Sequence, residues 1–491
     1  MFEEEYPSPG LHSQSEQYVL LQLTAMGLCA SWALGGMLGW VSGYLACLGA
    51  LTPIIIEGHR RHGLFNIKRP RRMVALALTP VWVAIIVFLT GLFFISIHEI
   101  TIGDIELLTL VQTPWWAPSN VASQSGWLTM LYQVAIYTSA VGLIFVALTT
   151  TLVRRLLIIL TTSASLIALI GFIQLYSGTN KLLWSLSTYS EFFAIFPHSE
   201  QYAGFALLWS LAFLGLLLHL RRQKKTDGLV EKWGLIMFVG WGILTVSVFV
   251  SGTLLHWGLL VAGIGWCITT EGAFATNNGA KKSGAFAAIL GILIAITGIV
   301  FIAANVAGSE NVNGLTSERQ SIIWQDSWKL FLEKPIFGWG VGSFLTIIAF
   351  KQEVDFGQNL LTPHSDLLHL MVEQGVIGVV IWLAPPVILL IIFLKKETKR
   401  LLSAHLWTAA IMIGVLALFS FPLQNPATAW SLWFIIGAAH VWTKVQRKDP
   451  AIALKSDVVF DESEMRSVPK LDKPLGKTRS RIEERRKYWN D

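Results

Sequence analysis

The chain has 491 residues, 53% of them hydrophobic and only 14% charged, with a formal net charge of +6. A soluble globular protein carries roughly 25% charged residues, so the deficit excludes a soluble enzyme and makes lipid the main solvent. Cys29, Cys47 and Cys267 fall inside apolar runs without metal-like spacing, which argues for small core residues and against a disulfide framework.

In chain order, the N-terminus MFEEEYPSPG lacks the basic stretch and small-residue cleavage site of a secretory signal. The first helix is therefore expected to stay as an uncleaved anchor. Apolar runs near the ~20 residues that cross a ~30 Å hydrocarbon layer then recur almost to Trp442. They predict twelve spans: Tyr18–Trp40, Val41–Ile56, Met73–Ile97, Trp127–Leu152, Leu156–Tyr176, Tyr202–Leu220, Trp233–Val250, Leu254–Thr269, Ala285–Ala304, Leu367–Leu394, His405–Phe421 and Trp430–Trp442. The fold class is an all-α polytopic membrane protein of about twelve transmembrane helices.

Lys and Arg in the short loops set the orientation. The runs EGHRRHGLFNIKRPRR, Arg154–Arg155, RRQKK from Arg221, Lys281–Lys282 and KKETKR from Lys395 fall on alternate loops, which are read as cytoplasmic. Residues 1–17 become a cytoplasmic N-terminus and 18–304 the first nine spans. Residues 305–366 form an outer loop, 367–442 the last three spans, and 443–491 a charged cytoplasmic tail, mostly disordered by composition. The outer side also holds His98–Gly126. Within the large outer loop, Ser317–Pro335 reads as an interfacial amphipathic helix, with Ile322, Ile323, Leu330 and Phe331 at helical spacing beside Arg319, Asp326 and Lys329. Gly338, Gly340 and Gly342 follow in a turn that permits a tight backbone path.

LTPHSDLLHLMVEQGVIG, Leu361–Gly378, crowds polar groups at the mouth of an apolar helix. Ser365 or Asp366 is the expected N-cap, which leaves His364 at the boundary, where the positive end of the helix dipole favours neutral imidazole. Asp366, His369 and Glu373 share one helical face, and a carboxylate as deep as Glu373 marks a functional site by default. Gly375 and Gly378 are read as allowing close helix packing. The bland alternative is an ordinary cap beside an idle loop histidine. A divalent metal on His364, Asp366, His369 and Glu373 has no second His/Asp cluster to support it, so no metal and no cofactor is expected. A serine triad is disfavoured because its members would be adjacent in sequence.

Several segments resemble the O-antigen ligase/polymerase family of bacterial membrane glycosyltransferases. Arg319 with Trp324, KPIFGWGVGSF (Lys334–Phe344) and PHSDLLHLMVEQGVIG (Pro363–Gly378) are similar to its late outer loop and following helix. GFIQLYSG (Gly171–Gly178), with Gln174, FPHSEQYAGFALL (Phe196–Leu208) and FPLQNPAT (Phe421–Thr428) look like its other motifs. The resemblance implies transfer of a polyprenyl (undecaprenyl) diphosphate-linked glycan to a glycan or lipid acceptor, outside the bacterial inner membrane. It implies His364 as base and Arg319 as cation on the diphosphate, with Lys334 a further candidate. It also implies Glu373, Asp366, Gln174, Gly338 and Gly340 in support. SGTLLHWG (Ser251–Gly258) lacks the arginine common in that family's middle helix, and His256 is the candidate substitute. Ligase and polymerase remain open alternatives. A twelve-span transporter is the rival class, without the internal repeat such proteins tend to show. Trp115, Trp116, Trp184 and Trp339 are candidates for stacking on sugars or for interfacial anchoring. The partners are glycan donor, acceptor and membrane lipid, with no nucleic acid.

Overall fold

The computed structural model describes residues 9–61, 70–94, 97–102, 105–110, 113–121, 123–147, 149–186, 191–222, 228–277, 281–307, 317–351, 364–395 and 401–445. The expected tail after Val445 and the first eight residues lie outside them. The elements in chain order are α1 (Pro9–Trp32), α2 (Gly39–Arg61), α3 (Pro70–Ala77), α4 (Thr79–Gly91), β1 (Ile97–Ile102) and β2 (Ile105–Leu110). Then come α5 (Ser123–Val146), α6 (Thr150–Tyr176), α7 (Ser199–Arg222), α8 (Gly228–Ser251), α9 (Leu254–Asn277) and α10 (Lys281–Ala307). The chain continues with α11 (Ser317–Glu333), α12 (Phe344–Lys351), α13 (Asp366–Leu394), α14 (Leu401–Phe419) and α15 (Pro426–Val445).

All twelve expected segments fall at least in part on helices, and the described residues are nearly all-α. Among the described residues, nine helices are long and apolar enough to cross a membrane: α2, α5 to α10, α13 and α14. The segment expected at Met73–Ile97 is instead two helices, α3 and α4, separated at Leu78 and followed by β1. The expected first span stops at Trp32, because Leu34, Gly35 and Gly36 take φ values of 51°, 64° and 87° and turn the chain before α2. The hairpin of β1 and β2 was not expected; it pairs Ile97 with Leu110 and Ile102 with Ile105.

α7 is the hub, with 78% of its apolar window buried, whereas α10 has 11% buried and presents its surface outward. α10 packs on α9 through two sets of glycines seven residues apart. Gly258, Gly265 and Gly272 on α9 face Gly298, Gly291 and Gly284 on α10, with Ala262, Ala288 and Ala295 between them. A Cβ at Gly265 would meet the Gly291 carbonyl oxygen at 2.6 Å, so the two backbones touch directly. Such close approach is what small residues permit where lipid gives no hydrophobic drive to associate.

The two ends of the bundle differ in charge. At one end Arg222 of α7 pairs with Glu271 of α9, and His405 Nε2 of α14 lies 3.6 Å from the same carboxylate. At the other, the start of α7 meets the turn before α15, where Asn425 Nδ2 donates to Gln201 Oε1 at 3.4 Å. The start of α13 lies on that same turn: the Asp366 N–H donates to the Ser420 carbonyl at 3.1 Å.

Candidate active site

α13 is two helices end to end. Gly375, at φ 61° and ψ −165°, interrupts it after about two and a half turns, a conformation essentially confined to glycine. Backbone groups freed at such a break must be paired inside the protein at membrane depth, and the segment after α11 does so. The Val376 and Ile377 N–H groups donate to the carbonyls of Pro335 and Ile336 at 2.9 and 3.1 Å. In return, the N–H groups of Trp339 and Gly340 donate to the carbonyls of Val372 and Glu373 at 2.9 and 2.8 Å. Gly338, at φ 69°, lies so close to the Glu373 and Gln374 backbone that a Cβ would collide with it. Gly375 therefore does something other than the helix packing its sequence context suggested. The two glycine motifs are halves of one backbone clip.

The clip fixes the polar face of α13. Ser365 is the N-cap, its hydroxyl accepting from Leu368 N at 3.3 Å. Asp366, His369 and Glu373 are all buried, at 7%, 8% and 6% exposure, so the expected shared face points into protein. The Asp366 carboxylate accepts from Leu423 N at 2.7 Å and from Gln424 Nε2 at 3.3 Å. Glu373 Oε1 accepts from Phe344 N at 3.1 Å and lies 3.0 Å from His369 Nε2. Tyr132 of α5 stands in the electrostatic field of both carboxylates.

His364 stands just outside the cap. Its φ of 48° puts a non-glycine residue in the left-handed region, where strain persists only if the surroundings over-determine it. The ring sits edge-on to Phe421, with centroids 4.9 Å apart. It is half-buried, with no hydrogen-bond partner among the described residues. Burial pushes its imidazole down from 6.5 to about 4, so it is the free base at neutral pH.

Lys334 is 2% exposed at the start of the clip segment. It bonds to the Thr113 hydroxyl and stands 4.7 Å over the Trp339 ring. Burial lowers its ammonium to about 8, opposed by the neighbouring Glu333 carboxylate. Trp339 is 4% exposed, donates to the Leu330 carbonyl at 2.9 Å and carries the lysine on its ring. Trp115, Trp116 and Trp184 are exposed. α11 carries Arg319 in its first turn, whose side chain lies outside the described residues. Its buried face is Ile323, Asp326, Ser327 and Leu330, with Asp326 held by Lys329 at 3.1 Å.

Two further candidates lie on other helices. His256, 1% exposed on α9, bonds through Nδ1 to the Thr253 hydroxyl at 3.0 Å, as a residue that closes a helix start does. Gln174, 2% exposed near the end of α6, has both amide atoms buried without a partner among the described residues. Neither bonds to α11, α12 or α13 among the described residues. Sequence reading passed over Gln424, whose amide reaches His369 Nδ1 at 2.6 Å. Its signal was faint, a glutamine beside the Phe-Pro pair in a motif valued for its order alone.

The helices and their apolar lengths define the class as a multi-pass helical membrane protein with a polar, clipped helix mouth. Residues 192–383 match a family model described as O-antigen ligase. The match covers His256, Arg319, Lys334, the glycine clip, His364 and Glu373, and stops short of Gln424. A Rickettsia conorii protein named "putative polysaccharide ligase" is 27% identical over 149 residues, 28% of this chain and 32% of that relative. The chain thus spans about a third of the curated relative it matches.

Proposed function

We propose that this protein is a membrane glycosyltransferase of the O-antigen ligase type, carrying a glycan from a polyprenyl diphosphate to an acceptor hydroxyl in surface polysaccharide synthesis. On the positive-inside rule the end bearing Arg222 and Glu271 faces the cytoplasm, which puts His364 on the outer face of a bacterial inner membrane. The twelve-span count stays part of this reading, with α1, α4 and α15 completing the nine.

The observation that carries the reading is His364, a neutral, half-buried, unbonded imidazole held in a strained conformation on a rigid clip. Acting as general base, it takes the proton of the acceptor hydroxyl. The acceptor oxygen bonds to the anomeric carbon from the face opposite the leaving group. The bond from that carbon to the diphosphate oxygen breaks, and its electron pair leaves with the polyprenyl diphosphate. The Lys334 ammonium and the Arg319 guanidinium stabilise the charge growing on that leaving group. Asp366 and Glu373 are spent on backbone amides and on Gln424 and His369, and serve as supports.

The test is His364→Ala in lipid nanodiscs, with chelator present, following release of polyprenyl diphosphate from a lipid-linked glycan with lipid A-core or a second lipid-linked glycan as acceptor. A folded variant is expected to lose ~100-fold or more, the range of a general base. Full activity in that variant would remove His364 from the mechanism. The acceptor that supports turnover separates ligase from polymerase.

A further inference from the structure

The proposed base and the proposed cation belong to different segments, and one side chain joins them. The edge of the Phe421 ring backs His364, and the 420–424 turn is stitched to the cap by the Asp366 bonds to Ser420 and Leu423. From that turn Gln424 Nε2 reaches His369 Nδ1 at 2.6 Å. On the other edge of the same ring, Nε2 lies 3.0 Å from Glu373 Oε1. Glu373 in turn holds the glycine segment, through Phe344 N to its carboxylate and Gly340 N to its carbonyl. The Phe344 ring packs on His369, with centroids 5.0 Å apart. That glycine segment carries Trp339, and Trp339 carries Lys334.

We propose that His369 is a positioning residue for the transfer reaction proposed above, locking the turn behind His364 to the glycine segment that presents Lys334. The chemistry of imidazole suits the task. The Gln424 amide reaches Nδ1 at 2.6 Å and the Glu373 carboxylate stands 3.0 Å from Nε2, so each edge of the ring faces one of the two segments. Few side chains place two polar atoms on opposite edges of a rigid ring. The lock sets the distance between the group that takes a proton and the group that receives the leaving charge. Such a distance enters the rate steeply, because about 1 Å of misplacement costs on the order of 100-fold.

The experiment uses the full chain in nanodiscs with His369→Phe, Gln424→Met and the double variant. Two readouts are taken: kcat and KM for the lipid-linked donor, and the rate at which diethyl pyrocarbonate modifies His364, followed by mass spectrometry. A lock predicts a kcat loss of roughly 100-fold for His369→Phe, little change in donor KM, and faster modification of His364. The double variant should lose little more than the worse single one, as coupled residues do. His369→Asn and His369→Gln each keep one polar edge and should fall between. If His369 only fills space, His369→Phe lowers the unfolding midpoint while kcat and His364 modification stay at wild-type values in every variant that folds, and the proposal fails. Should His369→Phe not fold, Gln424→Met alone decides by the same readouts. The modification rate requires no turnover. A wild type without transferase activity would therefore sink the proposed function, while the labelling still tested the lock.

Discussion

Gly375→Ala tests the clip directly. At φ 61° and ψ −165° any other residue carries strain of about 1–3 kcal/mol. The added Cβ would also run into the Ile336 carbonyl and lie 2.7 Å from the Phe337 nitrogen. Relieving that collision means releasing the bonds from Val376 and Ile377 to Pro335 and Ile336. Each of the two buried amides left unpaired costs about 1–3 kcal/mol, so with the strain the total comes to about 3–9 kcal/mol. The assay is the SDS-induced unfolding midpoint of the lipid-reconstituted protein, read by tryptophan fluorescence. Gly414→Ala is the control, because Gly414 has ordinary helical φ and open space where its Cβ would go. There the change should be neutral or stabilise by up to ~1 kcal/mol, the helix-propensity difference. A Gly375→Ala protein that unfolds at the wild-type midpoint would refute the clip. So would a Gly414→Ala protein that falls with it.

The pH profile of kcat/KM should show an acid limb near 4, where His364 gains its proton, and an alkaline limb near 8, where Lys334 loses its charge. An acid limb at the ordinary histidine value of 6.5 would count against the burial of His364, and donor binding should move the acid limb of kcat upward, since a diphosphate favours imidazolium. Because the folded value of His364 lies below its unfolded one, stability is complete above pH 6.5 and declines as pH falls toward 4, by up to about 3 kcal/mol from this group; an unfolding series across that window measures it. Lys334→Met should cut kcat/KM by ~100- to 1000-fold while leaving the unfolding midpoint near wild type; activity within threefold of wild type would remove the lysine from the site. Gly291→Leu, which must push Thr269 and the α9 backbone away, should lower the unfolding midpoint by the equivalent of about 3 kcal/mol or more, and an unchanged midpoint would mean the α9–α10 contact is looser than drawn.

The helices were legible because an apolar run of membrane length has few alternatives, and Ser365 declared its cap through the polar residues that follow it. The hairpin was also written in the sequence: the β-branched alternation of IHEITI and IELLTL flanks Gly103-Asp104, a two-residue hairpin signal. It was missed because a loop between spans invites no search for strands. The break in α13 was hidden for a different reason. A glycine in an apolar helix reads equally as close packing or as interruption, and only the partner segment at 335–340, separated from it by about 35 residues, decides between them. Gln424 was invisible for the same cause, since its value comes from a neighbour that the chain reaches 55 positions earlier. His256 shows the converse, because its bond to Thr253 spans three residues and lies within reach of sequence reading.

The seven-residue glycine spacing on α9 and α10 has a consequence for how their alignment is chosen. A repeat that recurs along both helices is a vernier: sliding one past the other by seven residues, about 10 Å at 1.5 Å per residue, again sets glycine opposite glycine. The contact itself is therefore nearly degenerate in register, and the choice falls to whatever joins the helices. That joint is three residues, between Asn277 and Lys281. A connection so short allows one alignment, whereas an insertion of several glycines there would free the pair to occupy two, detectable as two sets of disulfide cross-links between cysteines placed along the facing edges.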